Sequence, residues 1–166
     1  MRKKKGIVSL MLSLVLCLSM CMQVSAKEEV YTLSPTPPAI SEIEPQGANP
    51  PSGFADTHDL SVSDYNYQVT NIGYRVYTSK WLTGVSSIKI SVSNWKLLEE
   101  YHGATKDQLT LRVYNSSKKL VDSKTITIYS GSGSATFSGL SSTSKYYVCF
   151  EVPTNSNRYS FDGSIY

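Results

Sequence analysis

The chain has 166 residues, 16 of them basic and 13 acidic, with a formal charge of +3 and three cysteines. Arg2, Lys3, Lys4 and Lys5 crowd the N-terminus while every acidic residue lies beyond position 26, so residues 27–166 carry a net balance of −1. That excludes an electrostatic case for nucleic acid as a partner, and with Cys149 as the one cysteine after position 26 it excludes an intramolecular disulfide in that part of the chain.

In chain order, the basic cluster is followed by an apolar run, Ile7 to Met22, and by the small residues Val24, Ser25 and Ala26. This is the pattern of a secretory signal peptide over residues 1–26, with Lys27 as the expected mature start. The run is shorter than the roughly 20 residues a bilayer core requires, which predicts no stable membrane insertion after cleavage. Cys17 and Cys21 follow the bulky Leu16 and Met20, where a lipid-attachment motif has a small residue, so a lipid anchor is not expected. With no sorting motif or hydrophobic tail near Tyr166, the expected product is secreted and extracellular.

Residues 27–59 hold every proline except Pro153 and carry Glu28, Glu29, Glu42, Glu44, Asp56 and Asp59 against Lys27, a balance of −5. Each proline removes a backbone donor and restricts the residue before it. The expectation is a Pro-rich, acidic, disordered linker. The remaining stretch, 60–166, balances at +4 and is long enough to bury one core without a cross-link.

From residue 60 the apolar pattern has period two, broken by Ser, Thr, Asn and Gly clusters, which is the chemistry of strands and turns. Tyr65, Tyr67 and Val69 share a face, and a parity shift at Thr70 and Asn71 predicts a bulge or turn before Ile72, Tyr74 and Val76. Ile88, Ile90 and Val92 point inward, with Lys89, Ser91 and Ser93 outward. Residues 95–107 are the least strand-like and suggest a short helical turn. Leu109, Leu111 and Val113 alternate again, Asn115 to Lys118 closes a hairpin, and Ile126 and Ile128 follow on its second strand. Beyond the Ser130 to Gly133 turn come Ala135 and Phe137, then Tyr146, Val148, Phe150 and Val152, then Tyr159, Phe161 and Ile165. Seven or eight short strands spaced in this way predict an all-β fold, an antiparallel β-sandwich.

The stretch Ser134-Ala-Thr-Phe-Ser-Gly-Leu140, with Tyr146-Tyr-Val-Cys-Phe-Glu-Val152 after it, resembles the passage between strands E and F of fibronectin type III domains. The resemblance covers about 35 residues and implies a tyrosine corner: the Tyr146 hydroxyl bonds back across the corner while its ring packs under Leu140. It also implies a fibronectin or immunoglobulin-like strand order, in which the strands near 108–114, 145–152 and the C-terminus are neighbours. Trp95 resembles that family's core tryptophan but is one residue out of phase with Ile88, Ile90 and Val92, which keeps a jelly-roll-like sandwich as the alternative. Leader, acidic Pro-rich spacer and Tyr-rich β domain together resemble small secreted proteins of Gram-positive bacteria.

The search for chemistry is mostly negative. Asp56, His58 and Asp59 are the nearest approach to a metal cluster, and their setting predicts solvated residues and no metal. His102 beside Glu99 and Glu100 is expected in an exposed loop. No nucleophile elbow, zinc-protease helix or phosphate loop occurs, so neither an enzyme nor a cofactor is expected. Cys149 is expected to be a semi-buried thiol, with an intermolecular disulfide through it as the alternative.

In the fibronectin-like order, Arg112, Tyr114, Tyr147, Glu151, Asp162 and Tyr166 share one outward face, and Trp81, at a loop, is the best exposed-aromatic candidate outside that face. Rings flanked by hydrogen-bonding groups suit sugar faces and protein hot spots. The expected function is a non-enzymatic extracellular binding or adhesion module for a glycan or a surface protein, through Arg112, Tyr114, Tyr147, Tyr166 and Trp81. Alternatives are a structural, self-associating protein pairing through strand edges, and a small hydrolase or inhibitor without a recognisable motif.

Overall fold

The protein, described here by a computed structural model over residues 43–45, 47–101 and 106–166, contains eleven strands and no helix among these residues. Residues 1–42, which include the expected signal peptide, and His102 lie outside the described residues. The strands are β1 Ile43–Pro45, β2 Thr57–Asp59, β3 Tyr65–Ile72, β4 Arg75–Tyr77, β5 Trp81–Thr83, β6 Ser87–Glu99, β7 Gln108–Asn115, β8 Leu120–Thr127, β9 Gly133–Ser138, β10 Tyr146–Glu151 and β11 Arg158–Ile165. They form two sheets that enclose one core. The first runs β1-β3-β11-β6-β9, and the second runs β2-β5-β10-β7-β8, with β4 also on β10.

Alternation supplies the core. Tyr65, Tyr67, Val69 and Ile72 from β3, Ile88, Ile90 and Val92 from β6, and Tyr159, Phe161 and Ile165 from β11 meet Leu109, Leu111, Val113, Val148 and Phe150 of the second sheet. Each large side chain removed from water contributes about 1.5–3 kcal/mol, and Cys149 is the free cysteine among the described residues, so packing replaces cross-links in this domain.

The register of the first sheet shifts at three places, of which two set the phase of its core residues. The β3 to β11 register slips between Tyr159 and Phe161, opposite Ile72 and Val69, which puts the extra residue at the Thr70 and Asn71 parity shift. On β6, Ser93 and Lys96 face Asp162 and Ser160, and Asn94 takes the left-handed conformation at φ 53°. An asparagine tolerates that region better than most residues. The extra residue turns Trp95 inward, where it stacks on Phe161 at 5.2 Å. The helical turn expected after residue 95 is therefore replaced by strand up to Glu99.

The passage from β9 to β10 closes as a tyrosine corner. Leu140 and Tyr146 are both buried, and the Ser141 backbone N–H donates to the Tyr146 hydroxyl at 2.9 Å. A chain crossing between sheets leaves such donors without a ladder partner, and the phenol satisfies one while its ring stays in the core.

Three expectations are corrected. The count is eleven strands, since β1, β2, β4 and β5 are short pieces with little alternation to read. Residues 43–45 and 47–59 are part of the folded body and not linker: β1 pairs with β3, Gly47 bridges to Tyr77, and β2 pairs with β5. Pro45 is tolerated because β1 is an edge strand, with one side needing no donor. Finally, the C-terminal strand does not join β10. It inserts between β3 and β6 in the first sheet, while β4 and β5 flank β10, so the fibronectin-like order fails here.

Candidate functional site

The outward residues of the second sheet form rows across its strands. Register places Tyr147 opposite Tyr114, Cys149 between Arg112 and Tyr77, and Glu151 between Thr110 and Arg75. Four of the expected binding residues, Arg112, Tyr114, Tyr147 and Trp81, do gather on this side of the molecule. Their groups are spent on one another. Tyr147 stacks on Tyr114 with ring centres 5.0 Å apart and meets Trp81 edge-on at 5.6 Å. The Trp81 indole N–H donates to the Ser52 carbonyl at 2.9 Å. Contrary to expectation, Trp81 and Tyr147 are only 5% and 3% exposed. The strap of residues 47–59 along the β4 and β5 edge, with Pro51 buried in it, is what the linker reading left out.

The charges beside them are equally committed. Glu151 accepts from Arg75 Nε at 2.5 Å and from Arg112 Nη2 at 3.1 Å. Desolvation pushes its carboxyl up, but the hydrogen bonds and charges of Arg112 and Arg75 outweigh that and hold it below the ordinary value. Burial pushes the Cys149 thiol up to about 11. At neutral pH it is therefore protonated, and at 1% exposure it is closed to a second chain unless this face opens.

The outer face of the first sheet differs in kind. Its outward positions are Asn66, Gln68 and Thr70 on β3, Ser160, Asp162 and Ser164 on β11, and Lys89, Ser91, Ser93 and Lys96 on β6. Tyr166 follows on the same parity, paired with Lys89 through both backbone hydrogen bonds, 40% exposed and with the Lys89 ammonium over its ring. Asp162 and Tyr166 are thus separated from Arg112, Tyr114, Tyr147 and Glu151 by the thickness of the sandwich, contrary to the shared face expected.

Asp162 is the centre of this face. Its Oδ1 accepts from Ser93 Oγ at 3.0 Å, and the Asn94 amide donates to both carboxylate oxygens at 3.1 and 2.9 Å. The β6 bulge that turns Trp95 inward is what brings this amide over the carboxylate. On either side of Asp162 lies a shallow depression, one of about 330 Å³ reaching Ser91 and Ser164, the other of about 240 Å³ reaching Gln68, Lys96 and Ser160.

Gly163 lies on the core-facing parity of β11, opposite Tyr67 and Val92, and borders the first depression through its backbone. A Cβ there would sit 2.0 Å from the Ser91 carbonyl oxygen and 2.8 Å from the Tyr67 hydroxyl. Without it, the otherwise buried Tyr67 reaches across and donates to that carbonyl at 2.7 Å. Burial, then the nearby Asp162 charge, holds the phenol well above its ordinary pKa, so it remains a neutral donor in the core beneath the sheet.

The histidine expectation resolves simply. His58 Nε2 donates to the Ser63 carbonyl at 2.8 Å, and Asp59 is engaged by the Ser61 N–H and hydroxyl. Among the described residues no group of three or more His, Cys, Asp or Glu is placed to hold a metal ion. Sequence reading had Ser91 and Ser93 outward but passed over Asn94, Ser160 and Ser164 as site residues. A signal was available in the polar outward parity of β11 and of β6 as far as Lys96. Compared with known proteins, the chain matches no family model and no curated sequence.

Proposed function

We propose that the protein is an extracellular, non-catalytic binding module whose ligand surface is the polar outer face of the first sheet, and that its ligand is a glycan. The observation carrying this reading is the pair of depressions that share Asp162, with exposed Tyr166 further along the same row. Hydroxyls, amides and a carboxylate offer donors and acceptors together, which suits a polyhydroxylated ligand, and a Tyr ring suits the apolar face of a sugar. The second sheet argues for itself as support and not as site, because its rings and charges are satisfied within the protein. The protonated Cys149 and the turn-bound His58 supply no activated nucleophile or base, which favours binding over catalysis. Export rests on the leader-like residues 1–26.

A glycan array probed with wild type, Asp162→Ala, Tyr166→Ala and Tyr114→Ala tests the reading. Signal retained by Tyr114→Ala but lost by Asp162→Ala is the expected result. Equal signals from all four, or loss through Tyr114→Ala alone, would reject it.

A further inference from the structure

The depressions beside Asp162 differ chemically, and that difference carries more than a general affinity for sugars. The first is lined by the Asp162 carboxylate, by Asn66 and by Ser91, Ser93 and Ser164, whose hydroxyls bond to one another and to Asp162, with no cation in its lining. This is a setting for a ligand's hydroxyl donors. The second is lined by the Lys96 ammonium and the Gln68 amide as well as Asp162. It calls for an acceptor, and the shared carboxylate disfavours an anionic one, leaving a neutral carbonyl as the group that fits.

Length points the same way. At a rise of about 3.4 Å per residue, Ser160 and Ser164 lie about 14 Å apart along β11, too long for one pyranose ring. Asp162 stands midway, and the contacts from Ser93 and Asn94 leave Oδ2 with fewer donors than Oδ1, so it retains acceptor capacity toward the face.

We infer that the groove along β11 is a two-subsite cleft for an N-acetylated oligosaccharide, with Asp162 as the anchor common to both subsites and Lys96 and Gln68 receiving the acetamido carbonyl of the second sugar. The inference rests on the glycan-binding reading above. Hydroxyls of adjoining sugars donate to the two sides of Asp162, and occupying the second subsite adds its contacts at little further entropic cost once the first sugar is held.

The test is titration of isotope-labelled protein, followed by NMR, with N-acetylglucosamine, its dimer and trimer, and with the matching glucose oligomers that lack the acetamido group. The monomer is expected to move amide resonances of Ser91, Asp162 and Ser164. The dimer should extend the shifts to Gln68, Lys96 and Ser160 and bind about tenfold tighter or more, with the glucose dimer gaining less. Ser160→Tyr, an outward substitution that fills the second depression, should remove the gain with length. Asp162→Ala should weaken monomer and dimer alike. Equal affinities for monomer and dimer, equal gains for the glucose and N-acetylglucosamine series, or wild-type affinity in Asp162→Ala would each overturn the two-subsite assignment while leaving glycan binding standing. Shifts confined to the Tyr114 side, or no shift with any saccharide, would overturn the glycan reading of this face as well.

Discussion

The outer faces of the two sheets obey the same period-two rule and are used oppositely. On the second sheet, Tyr147 and Trp81 have outward parity and yet are buried, with Trp81 tied to the strap from 47 to 59, while Arg112 and Glu151 are paired and partly exposed. On the first sheet, short polar side chains, many of them half-buried and bonded to one another, surround Asp162 beside two depressions. Parity therefore reports which side of a sheet a residue occupies, and exposure depends on what else lies there. Large rings and bidentate arginines invite cover, because burying them contributes packing energy. Serine and asparagine offer little area to bury, and their groups can remain satisfied by water or a ligand.

That contrast makes the two faces respond differently to substitution. Tyr147→Ala removes a buried ring from between Tyr114 and Trp81 and is expected to cost about 3 kcal/mol, measured by urea unfolding, despite its outward parity. An effect below about 1 kcal/mol would mean the aromatic cluster is loosely packed. On the opposite sheet, Gly163→Ala forces a Cβ against the Ser91 carbonyl and the Tyr67 hydroxyl and should cost about 2 kcal/mol, read by the same unfolding measurement.

Glu151→Gln leaves Arg75 and Arg112 without their counter-charge and should cost about 1–2 kcal/mol, discounted for partial exposure. Its pH dependence has a defined sign. Because the folded pKa lies below the ordinary 4.5, the wild-type contribution is full above pH 4.5 and is lost as pH falls through the lower folded value. The Glu151→Gln protein should lack that component of acid sensitivity, and parallel curves for the two proteins would show the pair contributes nothing. Tyr146→Phe, which strands the Ser141 N–H, should cost about 1 kcal/mol by the same measurement. At the low end, Tyr166→Ala should change stability by no more than about 0.5 kcal/mol while weakening glycan binding, read by calorimetry. A larger loss of stability would make Tyr166 a structural residue like Tyr147.

Much of the architecture was readable from residue order. The shift at Thr70 and Asn71 and the hairpin turn at Asn115 to Lys118 appear where local pattern and turn chemistry put them, and the Ser141 to Tyr146 hydrogen bond lies at the corner that the family resemblance implied. Asn94 was less readable, because one residue in the left-handed region resets the parity of everything after it and turns an apparent helical turn into the end of β6. β1 and β2 were hidden by proline and acidic composition, which describe a chain's local stiffness and solubility but not whether a sheet edge nearby needs a partner.

Alternation, turns and the polar character of β6 and β11 follow from contacts between near neighbours, so the order of side chains was enough to specify an all-β sandwich and which residues face its core. The sheet that β11 joins, the cover over Trp81 and Tyr147, and the meeting of Asn94 with Asp162 depend on strands 68 positions apart in sequence becoming adjacent in space. Hydrogen-bonding edges are chemically alike along every strand, so residue order alone does not select among them. The choice belongs to the packed whole.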